Sequence, residues 1–217
     1  MNDIYILGVG HNTIVYIDLV EMCGYNVKGL YHYNDDMTGK LYWGYPVVGS
    51  FDTLYSMKNL QGLNFALSQG NNDIREKCFK EIKKLGGNIP TIIHPRATVS
   101  KFSELDEGVI VHANAVIDPD TKIGCNSVIS FNVGICHSCV VGSHCFFSPG
   151  ALLGAYTTVE DKVFMGISSK SISGKVDRIG YKAYIGAGAL LTKSVEAKHT
   201  MVGSPARVFI KNVVNDG

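Results

Sequence analysis

Apolar side chains stand at strict six-residue intervals through the middle of this sequence: Val99, Leu105, Val111, Ile117, Ile123, Ile129, Ile135, Val141, Phe147, Leu153, Val159 and Met165. An α-helix repeats about every 3.6 residues and a plain strand about every two, so neither keeps such a series on one side. Two positions earlier the residue is usually compact, as at Ala97, Val109, Ala115, Thr121, Ser127, Val133, Cys139, Cys145, Ala151, Thr157 and Val163. A large inward residue every six positions, preceded by a compact inward one, describes a triangular solenoid with three short strands and about 18 residues per coil. Its coils satisfy one another's backbone through parallel ladders about 4.8 Å apart. After Met165 the phase slips by two and returns at Ile179, Ile185 and Leu191, with Ala183 and Ala189 as compact partners, so a small loop is expected within 168–177.

The first 90 residues have another texture. "DIYILGVG" reads as a strand and a glycine turn, followed by a helix to about Cys23 whose Val15, Leu19 and Met22 share one face. A second strand is expected near "VKGLYHY", a third at "NFALSQG", and an amphipathic helix over 71–86 with Ile74, Cys78, Phe79 and Ile82 on one face. This alternation predicts a small parallel α/β domain over 1–90, then the solenoid over 91–195. Residues 196–217 leave the repeat and are expected to cap its open end.

The 217 residues, 46% of them hydrophobic, can bury a substantial core. A formal charge of +1 without long single-sign runs argues against a nucleic-acid groove or a polybasic membrane patch. No apolar stretch approaches the about 18 residues of a membrane span. The chain opens on a strand with no secretory signal expected before it, and its six cysteines are mostly flanked by apolar residues, so cytoplasmic residence with reduced thiols is expected.

The densest chemistry lies in "CHSCVVGSHC", 136–145. Zinc requires converging ligands, but the repeat holds Cys139 and Cys145 inside the core and turns His137 outward, so no metal site is expected. From the residues alone, His137 reads more readily as an exposed or hydrogen-bonded structural histidine than as a base. The turn "GVGHNT" reads as a structural turn or as a phosphate cradle, with Gly8 and Gly10 permitting close backbone approach.

In combination, "AVIDPDTKIGCNSVI", "SPGALLGA", "YIGAGALLTKSV" and "VGSPAR" resemble the hexapeptide-repeat sugar O- and N-acyltransferases, which include sialic acid O-acetyltransferases and bacterial UDP-amino-sugar N-acetyltransferases. The resemblance spans essentially the whole chain. It implies a Rossmann-like N-terminal domain that binds the nucleotide-linked sugar, followed by a left-handed parallel β-helix. It also implies acetyl-CoA as acyl donor and a homotrimer with its sites between subunits. "CHSCVVG" lies over the family's "EHDC" or "EHEC" run, which puts His137 at the base position, Ser138 at that of its acidic partner and Cys136 at the first acidic position. The family's terminal coils and exit segment imply coenzyme A near Gly154, Gly166, Gly186, Gly188 and Arg207. The family turn, close to GAGGHG, aligns its histidine with Asn12 without a gap or with His11 across a one-residue gap. Asp35 and Asp36 in "YHYNDD" become candidates for base or ribose contacts, and His144 is a further candidate for substrate contact.

The resulting expectation is direct acetyl transfer to the amino group of a nucleotide-linked sugar, with a neutral imidazole taking the proton. Two alternatives stand beside it: sugar O-acetylation, and a non-catalytic scaffold motivated by the missing acidic partner at Ser138. A dehydrogenase is disfavoured because the first domain is short for a full dinucleotide fold.

Overall fold

A computed structural model of the chain describes residues 2–209. The N-terminal unit contains β1 (Asn2–Leu7), α1 (Thr13–Met22), β2 (Tyr25–His32), β3 (Leu41–Tyr42), β4 (Tyr45–Ser50), α2 (Phe51–Tyr55), β5 (Phe65–Leu67) and α3 (Asn72–Lys84). Its sheet has the order β3-β4-β2-β1-β5 and is parallel except for β3. The chain builds outward from β1 through β2 and β4, then returns to its other side with β5. That reversal opens a crevice beyond the ends of β1 and β5, where the Gly8 turn sits.

The hairpin β3–β4 and the helix α2 go beyond the sequence expectation. Trp43 and Gly44, both at positive φ, make the hairpin's two-residue turn. The helix faces also differ from expectation. Val15 is 47% exposed and Met22 53%, while Thr13, Tyr16, Ile17, Leu19 and Val20 are buried. On α3, Ile74 is exposed and Arg75 is 1% exposed. Both helices are wedged between their own sheet and the solenoid, so each buries more than one stripe.

From Ile92 onward the chain winds into a coil of strands two residues long, except Thr200–Val202 near its end. All twelve periodic residues from Val99 to Met165 are the second residue of such a strand. Partners lie one coil apart, as Val128 with Ile110 and Phe146, in three parallel ladders. The first ladder runs from Ile92–Ile93 through Phe146–Phe147, the second from Thr98–Val99 through Gly134–Ile135, and the third from Glu104–Leu105 through Val140–Val141. Ser171 keeps the phase, since Lys170 still pairs with Leu152, so the two extra residues fall within 172–177. At the end, Thr200–Val202 extends the first ladder, Arg207–Val208 folds back on it, and Met201 and Ala206 close the core. Residues 210–217 of the expected cap lie outside the described residues.

The N-terminal unit packs on the first ladder: Ile4, Tyr16 and Val20 share a core with Ile92, Ile110 and Val128. Arg75 ties the two units together. Its Nε donates to the Asn126 carbonyl at 3.1 Å, and its Nη2 to the His144 and Cys145 carbonyls at 3.0 Å each. On its own side, Nη1 donates to the Gln69 carbonyl at 3.0 Å and Nη2 to Asn72 Oδ1 at 2.8 Å. Gln69 Nε2 in turn donates to the Leu7 carbonyl at 2.8 Å, so one guanidinium links the coil to the loop that backs the Gly8 turn.

Candidate active site

Every prism edge repeats one turn, with a residue at positive φ every six positions: Ser138 at 56°, His144 at 60° and Tyr156 at 62°. His137 precedes such a residue and is exposed on the edge between the second and third ladders. That edge lies opposite the first ladder, away from the N-terminal unit. His137 Nδ1 lies 3.3 Å from Ser138 Oγ, which leaves Nε2 open toward solvent. Tyr156, one coil on from Ser138, meets the imidazole edge-on at 5.0 Å and 88°. The sequence reading missed Tyr156, although the spacing of about 18 residues from Ser138 places it there. By the same register Asp118 stands one coil before Cys136, and burial followed by the Asp118 charge pushes the Cys136 thiol up.

Cys139 and Cys145 are buried, and their thiols donate to the Gly154 and Glu160 carbonyls at 3.2 Å each. Burial pushes them up to about 11 and about 12, respectively. Among the described residues no cluster of three or more His, Cys, Asp or Glu side chains is arranged to hold a metal ion.

His144 occupies the edge between the third and first ladders, buried beneath α3. Asn126 Nδ2 donates to its Nδ1 at 2.8 Å, Glu76 Oε1 stands 4.0 Å from its Nε2, and Phe79 packs edge-on at 5.6 Å. The expected substrate contact is therefore a seam residue, facing neither His137 nor the Gly8 turn. His112, which the sequence reading did not single out, is also buried. Burial, then neighbouring His94, pushes its pKa from 6.5 down to about 4. Burial likewise lowers that of His144, against the opposing charge of Glu76.

Between those two values for His112 the unfolded chain holds a proton that the folded chain rejects. Stability is thus complete above about pH 6.5 and falls as the pH drops, with His112 alone removing about 3 kcal/mol by pH 4. Urea midpoints at pH 7 and 4.5 measure this, and equal values would contradict it.

The Gly8 turn borders a cavity of about 370 Å³ lined by Gly8, Gly10, His11, Asn12, Tyr33 and Phe51, among others. Gly8 has φ +110°, and a Cβ there would lie 2.4 Å from Ser68 Oγ, so the position requires glycine. Thr13 locks the turn: its hydroxyl donates to the Gly8 carbonyl at 2.9 Å and accepts from the Gly10 N–H at 2.8 Å. His11 and Asn12 are both exposed, and the Asn12 side chain makes no capping bond to α1. Asp35 and Asp36 stand outside this lining: Asp35 accepts from the Thr53 hydroxyl at 3.3 Å, and Asp36 from Asn34 Nδ2 at 2.9 Å.

The glycines expected beside the cofactor divide between two edges. Gly154 shares the edge of His137, whereas Gly166, Gly186 and Gly188 lie between the first and second ladders. Gly154 is committed internally, with its N–H on Ser171 Oγ and its carbonyl accepting from the Thr157 hydroxyl and the Cys139 thiol. The N–H groups of Gly166, Gly186 and Gly188 bond to Ile185, Met201 and Ile167 carbonyls, respectively. A Cβ on Gly154 or Gly166 would press to within 2.6 Å of the next coil, so coil stacking accounts for both. Gly188 faces open space, and exposed Arg207 bonds only the Ala206 carbonyl among the described residues.

The site thus consists of an exposed histidine on one edge of a coil of hexapeptide turns and, on the opposite face, an α/β unit with a glycine-turn cavity. Residues 120–155 match the bacterial transferase hexapeptide family (six repeats). GDP-perosamine N-acetyltransferase of Escherichia coli O157:H7 is 30% identical over 206 residues, covering 91% of this chain and 90% of that one. PerB from Caulobacter crescentus, solved with CoA and GDP-perosamine, superposes with a TM-score of 0.87 at 28% identity, covering 97% and 98% of the two chains. A histidine-to-alanine variant of the Caulobacter enzyme, with the same ligands, gives 0.88 at 27% identity over the same shares. The chain belongs to the hexapeptide-repeat sugar acyltransferase family. It is an acyltransferase.

Proposed function

We propose that the protein transfers the acetyl group of acetyl-CoA to the amino group of a nucleotide-linked amino sugar, with His137 as general base. The observation that carries this reading is the open imidazole at a prism edge, in a chain alike over nearly its full length to GDP-perosamine N-acetyltransferases. His137 Nε2 accepts the proton of the attacking amine, while Ser138 Oγ holds Nδ1 and the Tyr156 ring limits rotation. Acetyl-CoA supplies the activated acyl group. Gly188, with its open face, and the guanidinium of Arg207, which among the described residues bonds only the Ala206 carbonyl, fit contacts to that donor.

In this reading residues 1–90 form a Rossmann-like nucleotide-sugar unit, 91–195 a left-handed β-helix and 196–217 its cap. Gly8, Gly10, His11 and Asn12 face the nucleotide sugar. One chain sets the base and the nucleotide cavity on opposite sides of the prism, which favours a homotrimer whose neighbouring subunits complete each site. Among the described residues no helix is long and apolar enough to cross a membrane, and all six cysteines are free, in keeping with a reducing cytoplasm. The test is incubation of the purified protein with acetyl-CoA and a panel of GDP-, UDP- and dTDP-amino sugars, following thiol release and product mass. Absence of N-acetylated product across the panel would refute the reading.

A further inference from the structure

Among the described residues three buried side-chain polar atoms have no hydrogen-bond partner: Tyr55 Oη, Ser169 Oγ and Gln69 Oε1. Ser169 is sealed in the compact column of the coil, one coil from Ala151 and one from Ala189. Tyr55 packs within the N-terminal unit, its ring against that of Phe51. Gln69 differs, because it belongs to the lining of the Gly8 cavity. A buried acceptor left without a donor is destabilising, so one kept beside a cavity points to a group that arrives with the ligand.

The other end of the same amide is over-supplied. Gln69 Nε2 donates to the Leu7 carbonyl at 2.8 Å, where the Ser68 N–H already stands at 3.0 Å and the Ser68 hydroxyl at 2.9 Å. A carbonyl oxygen has two lone pairs, so the third donor adds little and its departure leaves both lone pairs served. The backbone beneath is fixed, since Arg75 Nη1 donates to the Gln69 carbonyl at 3.0 Å. The amide can therefore leave Leu7 at small cost while the chain stays in place. It lies against the bare face of Gly8, where a Cβ would stand 3.2 Å from Nε2, so the turn puts no side chain in the way of that movement.

The orphaned atom selects the chemistry. Phosphate oxygens only accept, so a diphosphate gains nothing from Oε1 and belongs instead at the start of α1. A nucleoside brings donors, as ribose hydroxyls and base N–H groups. Tyr33, 67% exposed, and Phe51 give the same cavity aromatic walls suited to a base, so the nucleoside is the part of the ligand that meets Gln69.

We propose that Gln69 is a specificity residue for the nucleotide half of the substrate: its amide turns from the Leu7 carbonyl into the Gly8 cavity, where Oε1 accepts a hydrogen bond from a donor of the nucleoside, a ribose hydroxyl or a base N–H. This deepens the proposed function and rests on its nucleotide-linked substrate. Gln69 then chooses among nucleotides without touching the amine or the thioester.

Calorimetric titration of the purified protein with GDP, UDP and dTDP, without acetyl-CoA, tests this apart from the transfer reaction. In Gln69→Met, an apolar replacement of similar length, the Kd of the tightest diphosphate rises about 10-fold, because its donor loses a partner on binding. The melting temperature without ligand does not fall, since the orphaned oxygen is gone and Leu7 keeps its Ser68 donors. Analogues of that diphosphate then find the donor: those lacking the ribose 2′- or 3′-hydroxyl, the one methylated at the imino nitrogen of its base and, for GDP, inosine diphosphate, which lacks the exocyclic amine. One of them binds wild type about 10-fold more weakly than the parent, yet binds Gln69→Met as the parent does.

A Gln69→Met Kd within about twofold of wild type, the result if an internal water serves Oε1, overturns the assignment and leaves acetyl transfer standing. So does a loss that every analogue shares equally in both proteins, which marks a purely structural side chain. A wild-type protein that binds none of the three diphosphates overturns the nucleotide-linked substrate as well.

Discussion

His137→Ala is expected to lower turnover on the acetylated sugar by about 100-fold or more, the usual loss for a general base. Folding and donor binding should be unaffected. The side chain is exposed, and among the described residues its only side-chain hydrogen bond is the 3.3 Å one to Ser138 and it belongs to none of the core clusters. Calorimetric binding of acetyl-CoA and the melting temperature should therefore match wild type while the rate collapses. Near-wild-type turnover at saturating acetyl-CoA would remove His137 from the mechanism. Attention would then move to an amine already deprotonated when it binds.

Arg75→Ala is expected to destabilise the protein by about 3–5 kcal/mol, the range for removing one partner of a buried charged network. Burial lowers the guanidinium to about 10, so it remains charged at neutral pH. It serves the carbonyls of Gln69, Asn126, His144 and Cys145, three of them on the coil. Apolar replacements of buried ion pairs succeed when both partners are exchanged; here all the acceptors but Asn72 Oδ1 are backbone and remain whatever stands at position 75. Arg75→Met should fail nearly as badly as alanine, and lysine cannot reach as many acceptors with one ammonium. Because Gln69 backs the Gly8 turn, the acceptor KM should rise before the fold is lost. A urea-derived loss below about 1 kcal/mol for alanine would show that the apolar seam alone holds the two units together.

Particular residues show why parts of the architecture were legible in the sequence and others were not. The coil was readable because stacking repeats the same inward demand: Ile117, Ile135 and Leu153 meet one environment three times. Ser171 occupies that same inward position but is polar, since its hydroxyl accepts from the Gly154 N–H at 2.8 Å, so an apolar scan places the slip one strand too early. The helix faces misled for the opposite reason. A single-stripe reading assumes one buried side, whereas α3 also turns Arg75 toward carbonyls that no sequence pattern announces. The β3–β4 turn is made by Trp43 and Gly44, without the Asn-Gly or Asp-Gly signal that marks hairpins of this kind. His137 stood out through its motif, while Tyr156 and His112 carry none and emerge only once the coils are stacked.

The repeated edge turn makes the prism an indexed rail. Pro119, His137 and Ala155 share one position on successive coils, so a base carried to either neighbour would keep its outward direction and travel one strand spacing, about 4.8 Å, along the axis. The core residues on either side would not register the move. What fixes the index is the N-terminal unit, clamped at the height of Asn126 and His144 by Arg75. In the proposed trimer, a rotation axis running along the coils would leave that height unchanged from one subunit to the next. Reach between acceptor and base is then set by counting coils from the clamp, and a whole coil inserted between them would separate the two by one strand spacing without disturbing either.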